Sequence, residues 1–152
     1  MTASSELHAR QKSIPPDDAK ELGQDIARVK KAWKKYQRSH RRNAVYRFLS
    51  AVFEIAALWQ ADGHAASRAQ RALINERCKA PRSLDPFSAL MVIAADPSAI
   101  DDRTLAKWSR ALKYAAGRKP PSTTLTKFIR AKGGINDCAA RFTRPTPTRP
   151  PP

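Results

Sequence analysis

A chain of 152 residues carries 29 Lys and Arg against 13 Asp and Glu, a formal net charge of +16, and 41% of its residues are hydrophobic. That is enough chain for one domain with a real core, and the hydrophobic share excludes global disorder. Net charge does not specify a fold, but an excess of this size makes a polyanion the expected partner, either nucleic acid or an anionic membrane surface.

Residues 1–16 are polar, run into "IPPDD" (residues 14–18) and read as a flexible arm. They hold no apolar segment of the kind a signal peptide needs. From Asp17 or Asp18, read as helix caps, Leu22, Ile26, Val29, Trp33 and Tyr36 recur at spacings of three and four, one apolar stripe on a helix. The stripe loses phase at Ser39, His40, Arg41 and Arg42, and a second apolar set starts at Val45, Phe48, Leu49, Val52, Phe53 and Ala56. One long bent helix and two helices joined near residues 38–43 both fit, and the loss of phase favours the second.

Gly63 closes this unit, and residues 65–77 form a third helix rich in Ala and Arg. Asp85 followed by Pro86 starts a fourth, which runs to Ala95. Its body "FSALMVIA" is apolar nearly all round, so it should be the most buried element. Asp101 or Asp102 caps a fifth helix with Leu105, Trp108, Leu112 and Ala115 inward, and Gly117 is its expected stop. Ser122 or Thr123 caps a sixth that contains Leu125, Phe128 and Ile129; Gly133-Gly134 ends it, and Asn136 caps a last turn, "DCAARF". The expectation is an all-α single domain of six to seven short helices over residues 17–142. After it, residues 143–152 form a disordered Pro-rich tail that cannot hold a helix.

Enzyme chemistry finds no foothold. His8, His40 and His64 are scattered, and none has a Cys, Asp or Glu at helical spacing to share a zinc ion. The Asp17-Asp18 and Asp101-Asp102 pairs sit where caps are expected. "KGGIN" places two glycines before a helix start, an arrangement that can hold an anion, but a helix stop and turn explain it. Cys78 and Cys138 are far apart and read as packing residues of a reduced, cytoplasmic protein. No metal, cofactor or catalytic residue is assigned, and no apolar run is long enough to span a membrane.

Charge distribution is the informative signal. Between Ala27 and Phe53 nine Lys and Arg occur with no acid, and nine more follow from Arg103 to Lys132, again with none. Solvated helices ordinarily mix signs, because Glu and Lys four apart support each other while like charges repel. Phosphates would relieve that repulsion. On the first helix Lys30, Lys31, Lys34, Lys35, Arg38, Arg41 and Arg42 form two adjacent rows opposite the apolar stripe, a geometry suited to tracking a phosphate backbone. Lys107, Arg110, Lys113, Arg118, Lys119, Lys127 and Arg130 make a second candidate patch. Trp33 and Tyr36 could stack bases, but their phase places them on the packing side. A helix-turn-helix over residues 103–132, with Thr123, Thr124, Lys127 and Arg130 on the reading helix, is disfavoured by the long, Pro-rich connection "GRKPPST".

The blocks "RRNAVYRFLSAVFEIAALW", "DDRTLAKWSRALKYAA" and "FIRAKGGINDCAARF", in this order and spacing, resemble a group of small helical bacterial proteins frequent on plasmids and other mobile DNA. The resemblance covers about residues 35–142. It implies a bacterial cytoplasmic protein in a mobile-element setting, and it brings no activity, ligand or site residue with it.

The expected function is non-enzymatic nucleic-acid binding in the maintenance or regulation of bacterial DNA, with DNA favoured over RNA. The alternative is a protein-interaction module, either a homodimer through Leu22, Ile26, Val29, Trp33 and Tyr36 or a receptor for an acidic protein. A basic helix lying on anionic lipid is a third reading, weakened because a soluble core can use so narrow a stripe.

Overall fold

The computed structural model describes residues 16–39, 43–81, 85–95 and 100–143. Among them are seven helices and no strand. These are α1 (Pro16–Arg38), α2 (Ala44–Ala61), α3 (Ala65–Asn75), α4 (Pro86–Ala94), α5 (Asp102–Arg118), α6 (Leu125–Ala131) and α7 (Ile135–Thr143). The first two are separate helices, as the loss of phase implies. The arm before Pro16, the junction residues 40–42 and the tail after Thr143 lie outside the described residues.

α1 and α2 pack antiparallel. Trp33 meets the Phe48 ring edge-on at 5.0 Å, Arg28 pairs with Glu54, and the Trp59 indole N–H donates to Asp25 at 3.0 Å. As the residue number rises on α1 it falls on α2. The apolar stripe of α1 is thereby used up: Leu22, Ile26, Val29 and Trp33 are buried, and Tyr36 packs partly buried against the same core. These residues face the chain's own interior, so they offer no apolar face to a second copy.

α4 is the centre. Phe87, Ser88, Ala89, Leu90, Met91, Ile93 and Ala94 are buried, and the helix contacts α1, α2, α3 and α5. Full burial of each large apolar side chain contributes about 1.5–3 kcal/mol, so nine residues apolar nearly all round suffice to anchor four neighbours. Its start is fixed by Asp85, which accepts the Ser88 N–H at 2.9 Å while Pro86 occupies the first helical position. The Ser88 hydroxyl lies 2.8 Å from the same carboxylate and the Ser109 hydroxyl 3.3 Å from it, and Lys113 reaches it at 3.2 Å. Burial pushes the Asp85 carboxyl up, but the two Ser88 hydrogen bonds and the Lys113 charge outweigh that and hold it below its usual range. This polar knot ties the start of α4 to the middle of α5.

α7 packs chiefly on α5 and carries the buried Cys138. Burial, ahead of the neighbouring charges, holds this thiol above its ordinary pKa, which suits a packing residue.

Three helix ends share one device. After α2, α3 and α6 a residue in the left-handed region (Gly63 at φ 75°, Arg77 at 54°, Gly133 at 99°) lets the next N–H reach back to the third-last helical carbonyl. The closing bonds are His64 N–H to Trp59 O, Cys78 N–H to Leu73 O and Gly134 N–H to Ile129 O.

Several boundaries differ from the sequence expectation. α1 begins at Pro16, so Asp17 and Asp18 lie within its first turn instead of preceding it. Gly117 does not stop α5, which continues to Arg118; Lys119 turns extended because a residue before proline is driven out of the helical region. Thr124, not Ser122 or Thr123, caps α6, its hydroxyl accepting the Lys127 N–H at 3.3 Å. Asn136 lies inside α7, which starts directly from the Gly133-Gly134 turn.

Candidate nucleic-acid interface

Burying the stripe of α1 orients the rest of the helix. Lys31, Lys34, Lys35 and Arg38 are all exposed on the face turned away from the core. At a rise of about 1.5 Å per residue they extend over roughly 10 Å of the helix. Lys20 is exposed too, but it stands about 16 Å further toward the helix start, outside this cluster. Arg41 and Arg42 lie outside the described residues.

Lys30 is the exception in the first patch. Its ammonium is paired with Glu76, at the end of α3, and it is only half exposed. Arg28, two residues earlier on the helix, is likewise paired with Glu54 of α2. Both acids are invisible to a count along the helix, because they arrive from elsewhere in the fold.

The second patch does not stay together. Lys113 turns to Asp85, with its ammonium 5.9 Å from the centre of the Phe142 ring. Lys119 donates to the Thr123 carbonyl at 2.7 Å and rests over Phe53. Lys107 and Arg110 are half-buried on α5, and Arg110 Nε is a buried donor with no partner among the described residues. Arg118 is exposed and stacks over Tyr114. Lys127 and Arg130 are exposed on α6, and the Arg130 guanidinium lies 5.5 Å from the centre of the Tyr46 ring at the start of α2.

This last contact joins the two patches. α2 contacts α1 and also α6, and its outward ridge carries the exposed Arg47, next to Tyr46. A basic surface therefore crosses three helices, from Lys31, Lys34, Lys35 and Arg38 on α1 over Arg47 to Arg130 and Lys127 on α6. Arg47 belongs to neither row of α1 and was not assigned to a patch by spacing. Its place in an acid-free segment was the available signal.

The aromatics beneath this surface are structural. Trp33, Tyr36, Phe48 and Trp108 form one cluster with ring centroids 5.0–6.4 Å apart, of which only Tyr36 is more than marginally exposed. Neither tryptophan is placed to stack on a base. Among the described residues no group of three His, Cys, Asp or Glu could hold a metal ion, and no helix is long and apolar enough to cross a membrane.

No protein-family model, no curated protein and no solved structure matches this chain.

Proposed function

We propose that the protein binds nucleic acid without catalysis, holding double-stranded DNA by its phosphates in the maintenance or regulation of bacterial DNA, within the cytoplasm and in the mobile-element setting that the sequence resemblance implies. The carrying observation is the outward face of α1, where Lys31, Lys34, Lys35 and Arg38 are all exposed and no carboxylate among the described residues pairs with them. Four unneutralised cations on one helix face repel one another, and a phosphate backbone turns that repulsion into attraction. Burial of the tryptophans favours backbone contact over base stacking. The homodimer alternative loses its stripe to the core, which leaves an acidic protein as the competing partner for the same basic surface.

The test is binding of a random-sequence 30-base-pair duplex across a salt series from 50 to 300 mM. Contact with about six phosphates makes affinity fall about 10³-fold between 50 and 200 mM. Absence of binding at 50 mM overturns the reading and directs the search to an acidic protein.

A further inference from the structure

The antiparallel register of α1 and α2 sets Arg28 opposite Glu54. Seven residues further along α1 and seven back along α2, about two helical turns, the same seam positions recur. There the residues are Lys35 and Arg47, both exposed. A basic–acidic pair that crosses the seam at one level is thus replaced, two turns on, by two cations. Among the described residues no carboxylate is paired with either. Arg38 stands one turn beyond Lys35, and Arg130 lies over the ring of Tyr46, the residue before Arg47 on α2.

We propose that a backbone phosphate of the bound nucleic acid sits at this seam between Lys35 and Arg47, in the place the Glu54 carboxylate takes against Arg28. The seam is the anchor of the basic surface, and Arg47 is a binding residue. The proposal rests on the nucleic-acid reading above and specifies where on the chain the strand is held. The strand crosses the axes of α1, α2 and α6; packed helices lie about 8–10 Å apart, so three of them span roughly 16–20 Å. That extent matches about five or six phosphates of one strand.

The test is Lys35→Glu against Lys20→Glu, two variants with the same change in net charge on the same helix, about 22 Å apart along its axis. In Lys35→Glu the new carboxylate pairs with Arg47 and withdraws both cations from the strand. The slope of log affinity against log salt should flatten by about 1.8, and affinity for the 30-base-pair duplex at 100 mM salt should fall about 60-fold. Lys20→Glu should change both far less. Lys35→Gln, which cannot pair with Arg47, removes one contact and should lose about eightfold. The melting temperature of Lys35→Glu should equal or exceed that of the parent, since repulsion gives way to an ion pair; a lower value overturns the facing of Lys35 and Arg47. Equal losses in Lys35→Glu and Lys20→Glu overturn the seam site while leaving nucleic-acid binding intact. A parent protein that fails to bind the duplex removes the underlying reading itself.

Discussion

Lys30 is paired with Glu76, a residue 46 positions further along the chain, and this takes it out of the free cation row that its neighbours form. The turn that ends α3, with Arg77 in the left-handed region, delivers that carboxylate to α1. Two adjacent lysines, Lys30 and Lys31, therefore stand in different surroundings, the first ion-paired and the second exposed.

Lys30→Gln should leave the salt slope of duplex binding nearly unchanged and alter stability by less than about 1 kcal/mol, as a partly exposed ion pair does. The quadruple variant with Lys31, Lys34, Lys35 and Arg38 all changed to Gln should flatten the slope by about 3.6 and keep its melting temperature. Fluorescence anisotropy of a labelled duplex, paired with circular-dichroism melts, checks both.

Trp33→Phe separates packing from base stacking. The ring is buried against Tyr36 and Phe48, so the smaller side chain should lower stability by about 1–2 kcal/mol while duplex affinity at 20 °C stays within a factor of about two. A large loss of affinity in a protein that remains folded would falsify the core assignment.

Asp85 couples stability to acid. Its folded-state pKa is lowered, so its contribution is present above the unfolded carboxylate value of about 3.9 and is lost as pH falls through the still lower folded value. Asp85→Ala removes a helix cap and leaves Ser88, Ser109 and Lys113 without their shared acceptor, a loss of about 2–3 kcal/mol at neutral pH. Urea melts from pH 2 to 7 should show the parent converging on this variant at the acid end.

Glycines at two kinds of position should respond oppositely to alanine. A Cβ on Gly133 would lie 2.0 Å from an Asp137 carboxylate oxygen, on a backbone with φ near 99°, so Gly133→Ala should cost about 1–3 kcal/mol. Gly23 lies within α1 with open space around its Cβ direction, and Gly23→Ala should stabilise by about 0.5–1 kcal/mol. Thermal denaturation distinguishes the signs.

Local rules were sufficient for most of the architecture. The apolar stripe of α1, the all-round apolar body of α4 and the caps at Asp85 and Asp101 depend on residues a few positions apart, and each forms as its spacing implies. Boundaries slipped where two local signals competed: at Gly117 the helix went on because Pro120 and Pro121, not the glycine, end it. The candidate interface was only half legible. Spacing along α1 turns Lys31, Lys34, Lys35 and Arg38 outward, since the stripe fixes which side faces the core.

Which cations remain free could be decided only by the tertiary structure. Glu54, Glu76 and Asp85 neutralise Arg28, Lys30 and Lys113 from other parts of the fold. Conversely, packing of α6 against α2 carries Arg130 to Tyr46 and so joins two basic segments that are widely separated in sequence. The physical reason is one of range. Helix periodicity is set by bonds between residues four apart, whereas Coulomb interaction depends on distance through space, which only the folded chain defines.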